Sequence, residues 1–323
     1  MSQRAGVLSA LRTHTKKFRE TPELSHRQLP QRLQPIRPLS KARVLGPGRD
    51  RRFRLSQYHV RLRGIDTVFA DEGTGEAILF VHGLAGNVTH WVNVAPYFVS
   101  THRVLAIDLP GHGESEQPMS WSINDYVAHV VALLDRLDIA RVTIVGHSMG
   151  GMVGAALTIQ YPHRVQRTVL VNPAGMQPMP GPVRFAGRVV LRERFLESLL
   201  PKIWKFGILS NVFFTKNAFT DAFIRTAEQT YDPERDIAGI AQVMAGLRGD
   251  LLDRNFAALL PDITRPIFLI WGDKDRLVPS GFLRRASNEL TNVVVEEIAK
   301  CGHMPIIEYP ERVVAFLKRA LRT

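Results

Sequence analysis

The chain has 323 residues, of which 45% are hydrophobic, so it is long enough to bury the core of one domain with an insertion. No segment approaches the ~18–20 consecutive apolar residues that a membrane-spanning helix needs. A single cysteine, Cys301, excludes a disulfide within the chain, and the sequence lacks the His, Cys and carboxylate spacings of a metal site, so neither a metal nor a cofactor is expected.

Positive charge is concentrated at the N-terminus. Residues 1–54 contain fourteen Lys or Arg and three Asp or Glu, a net charge of +11 out of the chain's +12, so the rest of the chain is nearly neutral. The segment is also rich in Pro and Gln, especially over residues 28–35. This composition predicts a basic, flexible arm over residues 1–54, with Ala5–Phe18 able to form a short amphipathic helix.

Several roles fit this arm. A solvated, disordered extension is favoured from its composition. Peripheral contact with an anionic membrane is the first alternative, because basic residues are attracted to such a surface. Organelle targeting through residues 1–20 is another, since the first nineteen residues contain no acid. Nucleic-acid binding is unlikely in the absence of a recognition motif. With no apolar segment typical of a secretory signal, we expect a cytoplasmic protein, with or without membrane association.

Beyond the arm, strand and helix patterns alternate as in a doubly wound α/β sheet. Ser122 is placed to cap an amphipathic helix that runs to about Leu137. The predicted strands before the insertion are Tyr58–Leu62, Ile65–Ala70, Ala77–His82, Arg103–Asp108, Val142–Gly146 and Thr168–Asn172. Two more follow it, one in the apolar run after Pro266 and one over Val293–Ile298. The sequence therefore predicts a mostly parallel sheet.

The alternation is interrupted between about Ala174 and Pro261, where the sequence has no clear strand. Helical patterns occur instead over Phe185–Leu200, Ile203–Phe214, Phe219–Tyr231 and Ile237–Asp250. The segment contains six notable aromatic residues, of which a minority would suffice to line an apolar pocket: Trp204, Phe206, Phe213, Phe214, Phe219 and Phe223. We therefore predict a helical unit over residues 176–261.

The most informative motif is Gly146-His147-Ser148-Met149-Gly150, which follows a β-branched apolar strand and precedes an alanine-rich helix. A serine at such a sharp strand-to-helix turn forms a nucleophile elbow. The strained turn requires small neighbours two residues to either side, which Gly146 and Gly150 supply. The helix that follows adds a positive dipole beneath a developing oxyanion. This context favours Ser148 as a nucleophile over a simple helix cap.

A serine hydroxyl needs a general base, and the base needs a third group that orients it. Downstream, Asp273 and Asp275 lie in a turn after one strand, and His303 lies in a loop after the last strand. Both loops follow the carboxyl ends of strands, where open α/β sheets bind ligands. From the residues alone, either carboxylate could be the acid.

These motifs, spread from about Tyr58 to the C-terminus, resemble those of the α/β-hydrolase family. The resemblance implies that Ser148 is the nucleophile and His303 the general base. It also implies that Asp275 is the acid, because it fits the G-x-x-D-x-x-x-P pattern running from Gly272 to Pro279. Some relatives keep the acid after the sixth strand, but this chain has Asn172 there. Asp273 is then interpreted as a turn residue.

The resemblance also predicts an oxyanion hole made of two backbone N–H groups, from Met149 after the nucleophile and from Leu84 in the loop after the third strand. Gly83 and Gly86 would let this loop approach the substrate closely. The loop Asp108-Leu109-Pro110-Gly111-His112-Gly113-Glu114-Ser115 is expected to shape the sheet rather than to react. Four further histidines are interpreted as scaffold residues: His82, His90, His112 and His147. Cys301 is interpreted as a small buried apolar group.

The implied architecture is an α/β-hydrolase core over residues 55–175 and 262–323, with a helical cap over 176–261 between strands six and seven. The pairing of residues 146–151 with residues 171–175 is most similar to small membrane-associated lipases and esterases, in the esterase and monoacylglycerol-lipase-like branch of the family. The resemblance therefore implies a serine hydrolase of carboxylic esters with apolar acyl or lipid-like groups. The alternatives are a carbon–carbon bond hydrolase of ring-cleavage products and a non-catalytic ligand-binding scaffold.

Overall fold

A computed structural model describes residues 35–38, 55–118, 121–203, 209–230, 233–278, 280–281 and 292–322. Of the predicted arm, only residues 35–38 fall within the described part, so the predicted helix over Ala5–Phe18 lies outside it. Trp204 and Phe206 of the predicted helical unit also lie outside the described residues.

The described strands form one nine-stranded sheet in the order β1-β2-β3-β5-β4-β6-β7-β8-β9. The pairings from β5 through β4 to β9 are parallel, and those among β1, β2, β3 and β5 are antiparallel. The strands are β1 Pro35–Pro38, β2 Ser56–Leu62, β3 Ile65–Glu72, β4 Ala77–Val81, β5 Arg103–Ile107, β6 Val142–His147, β7 Val165–Val171, β8 Ile267–Gly272 and β9 Val293–Ile298. The predicted α/β class and mostly parallel sheet are confirmed.

Helices cover the sheet and fill the chain between β7 and β8. The α-helices are α1 Ile123–Arg136, α2 Met149–Gln160, α3 Gly181–Val190, α4 Glu193–Ile203, α5 Leu209–Val212, α6 Ala218–Thr230, α7 Pro233–Gly246, α8 Arg248–Asp253, α9 Pro305–Glu308 and α10 Pro310–Ala320. Short 3₁₀ helices lie at Val88–Trp91, Ala95–Tyr97, Pro162–Arg164 and Phe256–Asp262. Among the described helices, none is both long enough and apolar enough to cross a membrane.

Strand β1 was not predicted. It lies within the segment expected to be flexible and pairs antiparallel with β2 at the edge of the sheet, with Pro35 opposite Tyr58. Proline has no backbone N–H group to donate to a neighbouring strand, and an edge strand tolerates this because one of its sides is unpaired. The prolines that indicated an extended, unpaired arm are therefore also compatible with a short edge strand.

The predicted cap at the start of α1 is confirmed. The Ser122 hydroxyl accepts a hydrogen bond from the Asp125 N–H, and the Asp125 carboxylate accepts one from the Ser122 N–H, which makes a reciprocal capping box. The helix then buries Tyr126, Val127 and Val130 against the sheet. Packing of this kind, with β4 to β8 buried at the centre, fixes the strand ends from which the site loops project.

The helices between β7 and β8 begin and end at different residues from those predicted. The single helix expected over Phe185–Leu200 is divided into α3 and α4 at Leu191, and the one expected over Ile237–Asp250 is divided at Leu247. The break at Leu191 has no Pro or Gly next to it in the sequence, whereas the break at Leu247 lies between Gly246 and Gly249. Counted from β2, these helices lie between strands six and seven; we call residues 176–261 the insertion.

Candidate active site

Ser148 occupies a strained turn between β6 and α2. Its φ of 52° and ψ of −114° lie outside the regions that L-residues usually adopt. The turn is possible because the flanking positions are glycine. A Cβ on Gly146 would lie 2.2 Å from the Gly150 carbonyl oxygen, and one on Gly150 would lie 2.3 Å from the Val81 carbonyl oxygen. The sequence therefore dictates the backbone that presents the Ser148 side chain beyond the end of the sheet.

Three predicted residues meet in one chain of hydrogen bonds. His303 Nε2 lies 2.9 Å from Ser148 Oγ, and His303 Nδ1 lies 2.8 Å from Asp275 Oδ2. A carboxylate can only accept, so Nδ1 carries the proton and Nε2 is left to accept from the hydroxyl. Asp275 and His303 are both buried. The arrangement can move a proton from the hydroxyl to an imidazole that an anionic carboxylate orients.

Asp275 is held as an anion. The N–H groups of Leu277 and Val278 donate to its Oδ1 at 2.8 and 2.9 Å, and the Asn172 side-chain amide donates to its Oδ2 at 2.6 Å. Burial alone would raise the pKa of this carboxyl, but the hydrogen bonds and the facing His303 hold the pKa below its usual value. The carboxylate therefore stays charged where it faces the imidazole.

The neighbouring candidate acid, Asp273, does not contact the histidine ring. Its Oδ1 accepts the Cys301 N–H at 3.3 Å and its Oδ2 lies 3.1 Å from the Lys274 ammonium. Asp273 thus ties together the two loops that carry Asp275 and His303. Cys301 is fully buried in an apolar cluster, and burial raises the pKa of its thiol. Cys301 therefore packs as a small buried group. Asp273 lies in a turn, but its carboxylate bonds the backbone of another loop rather than its own.

The loop after β4 passes directly beside Ser148. A Cβ on Gly83 would lie 3.0 Å from Ser148 Cβ, closer than nearly all real Cβ contacts, so this approach favours glycine. The loop closes as a turn in which the Gly86 N–H donates to the Gly83 carbonyl, with Ala85 at a positive φ of 58°. In the described part of the chain, no hydrogen bond occupies the N–H of Leu84 or Met149. Neither group is therefore committed to an acceptor among the described residues.

Buried histidines brace these loops. His82 Nδ1 donates to the Gly83 carbonyl at 2.7 Å, while its Nε2 accepts the Leu109 N–H at 3.0 Å. His147 Nε2 donates to the His303 carbonyl at 2.8 Å. Burial lowers the pKa of His147 to about 3 and that of His82 well below its ordinary value, so both rings are neutral. They position the His303 loop and residues 82–90 after β4, which we call the oxyanion loop after its predicted role.

Asp108 organises the loop predicted to shape the sheet. Its carboxylate accepts the N–H of Val88 at 2.7 Å and that of Glu114 at 3.0 Å. Burial raises the pKa of this carboxyl to about 7. Gly113 lies against it, since a Cβ there would be 2.2 Å from Asp108 Oδ2. The loop thus joins the segments after β4 and β5 without touching Ser148.

Glu308 was not singled out in the sequence, yet it is buried and joins the His303 loop to the insertion. Its Oε1 accepts the Gly302 N–H at 2.8 Å, and its Oε2 accepts the N–H groups of Phe214 and Thr215 at 3.0 and 2.8 Å. Burial raises the pKa of this carboxyl despite these donors. The His303 N–H also donates to a carbonyl of the insertion, that of Val212, at 2.8 Å.

The insertion also contacts the oxyanion loop. Phe223 packs edge-on against His90 with ring centroids 5.2 Å apart, and Phe213 packs against Phe223 at 5.7 Å. Ala85 packs against an apolar cluster of the insertion, which consists of Leu196, Leu200, Ile237, Ile240 and Ala241. Of the described aromatic residues that were predicted for a pocket, Phe213, Phe219 and Phe223 are partly buried against the core, and Phe214 is 42% exposed. Apolar side chains of the insertion therefore contact this region at Ala85 and His90.

Comparison with known proteins identifies the class. The family model of the alpha/beta hydrolase family matches residues 78–316. Because this match covers well over half of the chain, the protein belongs to the α/β-hydrolase family, as the sequence motifs predicted. The class is that of hydrolases, and the identity of the substrate does not follow from it.

A curated relative and two solved structures extend the comparison. A 2-hydroxy-6-oxononadienedioate/2-hydroxy-6-oxononatrienedioate hydrolase of Burkholderia vietnamiensis is 30% identical over 269 residues, which cover 78% of this chain and 90% of that protein. A thermophilic esterase of Thermogutta terrifontis has a TM-score of 0.70 at 23% identity, covering 82% of this chain and 98% of its own. The enol-lactonase of Burkholderia xenovorans has a TM-score of 0.68 at 22% identity, covering 82% and 100%. The two structures show the same fold.

Proposed function

We propose that the protein is a serine hydrolase that cleaves carboxylic esters through an acyl-enzyme. The observation that carries the proposal is the continuous hydrogen-bonded chain from Ser148 Oγ through His303 to Asp275, at distances of 2.9 and 2.8 Å. A hydroxyl, an imidazole and a buried carboxylate in this order are the elements of acyl transfer by serine.

In the proposed first step, Ser148 Oγ attacks the ester carbonyl carbon while its proton passes to His303 Nε2. The carbonyl oxygen becomes an oxyanion, which accepts hydrogen bonds from the N–H groups of Leu84 and Met149. His303 then gives the proton to the departing alcohol, leaving the acyl group on Ser148. In the second step, His303 takes a proton from water, the hydroxide attacks the acyl carbon, and Ser148 is released with its proton restored. Asp275 stabilises the imidazolium in both steps.

An apolar acyl or lipid-like substrate is favoured by the insertion, which we propose acts as a cap over the site. Its contacts with the oxyanion loop are made by apolar and aromatic groups, at Ala85 and at the His90 ring. A substrate entering between this loop and the insertion would meet hydrocarbon surface. Binding sites for small molecules commonly combine such a lining with a few convergent polar groups.

A carbon–carbon bond hydrolase is the second candidate, and the relative at 30% identity from Burkholderia vietnamiensis favours it. An experiment with two substrate series separates the candidates. We expect Ser148-dependent hydrolysis of p-nitrophenyl esters that is fastest at medium or long acyl chains, with Ser148→Ala inactive. Rapid Ser148-dependent cleavage of a dienol-keto acid together with slow, chain-length-independent ester hydrolysis would contradict the ester proposal and support the second candidate.

A further inference from the structure

We propose that helix α3 and the arginines beside it form a docking surface for an anionic phospholipid bilayer. Helix α3 has the sequence pattern of an amphipathic helix, yet none of its residues is buried. Pro182, Val183, Phe185, Ala186 and Val189 are all exposed and form its apolar stripe. Phe185 is 77% exposed, more than any other large hydrophobic residue in the described part of the chain. This proposal does not depend on the catalytic activity.

The direction of the stripe follows from the helical period. The half-buried positions of α3 are Arg184, Gly187 and Val190, and a Cβ on Gly187 would lie 2.7 Å from Leu252 of α8. The helix therefore packs on the protein through one narrow side. Pro182, Phe185, Ala186 and Val189 of the apolar stripe lie on the other side, and all four are exposed. Phe195 of α4 adds a further aromatic ring that is 49% exposed.

The positive charge of a groove beside helix α3 favours an anionic partner. An open groove of about 440 Å³ beside the apolar stripe is lined by Arg188, Arg192, Arg248, Gly249, Leu252 and Asp253. Its one carboxylate, Asp253, is already shared by Arg184 at 3.7 Å and Arg188 at 3.3 Å. No ion pair among the described residues involves Arg192 or Arg248. The groove therefore carries excess positive charge, which complements phosphate headgroups, while Phe185 is placed to enter the acyl layer.

Two other occupants of the apolar stripe are disfavoured by charge. The N-terminal arm, with a net charge of +11, would bring like charges against the arginines. A second copy of the chain in a two-fold contact would place the same arginines against one another. A bilayer with anionic headgroups supplies the opposite charge and an apolar layer together, so it satisfies both parts of the surface.

The test must detect contact at α3 itself, because the basic arm could bind vesicles independently. We would introduce a local fluorescent probe with Phe185→Trp and a matched control with Val294→Trp, whose site is 50% exposed on β9. Each full-length protein is mixed with vesicles of phosphatidylcholine alone or with an equimolar content of phosphatidylglycerol, with unsubstituted protein as the baseline. Near-ultraviolet circular dichroism confirms that each variant is folded.

We expect the emission of Phe185→Trp to shift to shorter wavelength on the anionic vesicles and to be quenched by brominated acyl chains, with no such change for Val294→Trp. Adding Arg192→Glu and Arg248→Glu should raise the lipid concentration for half-maximal response by roughly tenfold or more. An unchanged emission of Phe185→Trp, or an equal response on neutral vesicles, would overturn the proposal. A blue shift that appears without lipid as protein concentration rises would do so as well, in favour of self-association.

Discussion

The side-chain amide of Asn172, at the end of β7, donates a 2.6 Å hydrogen bond to the Asp275 carboxylate that faces His303. Asn172 is fully buried and has a positive φ of 43°, a conformation that asparagine tolerates better than most residues. Its amide oxygen also accepts the Gly272 N–H at 3.3 Å. The position where some relatives carry the acid therefore holds the proposed acid, Asp275, which follows β8.

Because Asn172 contacts Asp275, we predict that the carboxylate can be moved from position 275 to position 172 with partial retention of activity. Asp275→Asn should lower kcat for ester hydrolysis by roughly three to four orders of magnitude, because it removes the anion that orients and stabilises the imidazole. Adding Asn172→Asp should return a carboxylate to the same cluster and recover a measurable part of the activity. Single-turnover and steady-state assays of both variants test this. An Asn172→Asp/Asp275→Asn protein that is folded but no more active than Asp275→Asn would refute the exchange.

Asp273 provides the matched control for the assignment of the acid. Asp273→Asn removes a carboxylate two residues away that contacts Cys301 N–H and Lys274 but not the His303 ring. We expect its kcat to stay within a small factor of the unsubstituted protein. If Asp273→Asn lost its activity and Asp275→Asn kept it, Asp273 rather than Asp275 would be the acid.

Glu308 should stabilise the connection between the His303 loop and the insertion. Glu308→Gln keeps the shape but places an NH₂ group against one of the backbone donors, so a buried N–H loses its acceptor. We expect the free energy of unfolding to fall by about 1–3 kcal/mol. Amide hydrogen exchange at Phe214 and Thr215 should become faster. Glu311→Gln, at an exposed position, is the control. Equal losses of unfolding free energy in the two variants would contradict a stabilising role for the Glu308 hydrogen bonds.

Because several histidines are buried, we predict that the free energy of unfolding is lower in acid than at neutral pH. Burial lowers the pKa of His82 well below its usual value, that of His112 and His129 to about 4, and that of His147 to about 3. In the unfolded chain each would titrate near 6.5, so below that pH the unfolded state binds more protons and the free energy of unfolding falls as pH falls. At pH 5, His112, His129 and His147 each lower the free energy of unfolding by about 2 kcal/mol relative to neutral pH.

Asp108 acts in the opposite direction. Its pKa of about 7 in the folded protein exceeds its unfolded value, so it contributes stability that is present at low pH and lost as pH rises through 7. The contribution of Asp108 to the free energy of unfolding offsets that of about one buried histidine. Urea unfolding should therefore still show lower stability at pH 5 than at pH 7.5. His129→Gln should reduce this dependence, whereas the exposed His59→Gln should not. Equal stability at the two pH values would contradict this account.

The sequence predicted the parts of the site that depend on local rules. The β-branched strand, the paired glycines and the small-residue helix around Ser148 impose one backbone, and the structure has that backbone. The eight strands from β2 to β9 were also predictable, because their apolar runs are bounded by turn residues. Asp275 and His303 were recognisable because each follows a predicted strand in a family pattern.

The roles of Asn172 and Glu308 could not be predicted in the same way. Asn172 meets Asp275 only because β7 pairs with β8, across 103 residues of chain. Glu308 lies in a four-residue helix and accepts donors from the insertion, 94 and 93 residues earlier in the chain. Such contacts carry no local periodicity or spacing. The break in the predicted helix at Leu191 likewise reflects the packing of α3 on α8 rather than a local signal.

The most direct test of the central claim is covalent labelling of Ser148 by a fluorophosphonate probe. The phosphorus centre requires an activated serine, so labelling reports the nucleophile without assuming any substrate. Intact-mass and peptide mass spectrometry of the folded protein should show one adduct, on the peptide that contains Ser148. Ser148→Ala should abolish it, whereas Ala at the exposed Ser198 should leave it unchanged. Folded protein that remains unlabelled, or an adduct that persists in Ser148→Ala, would contradict a serine hydrolase acting through Ser148.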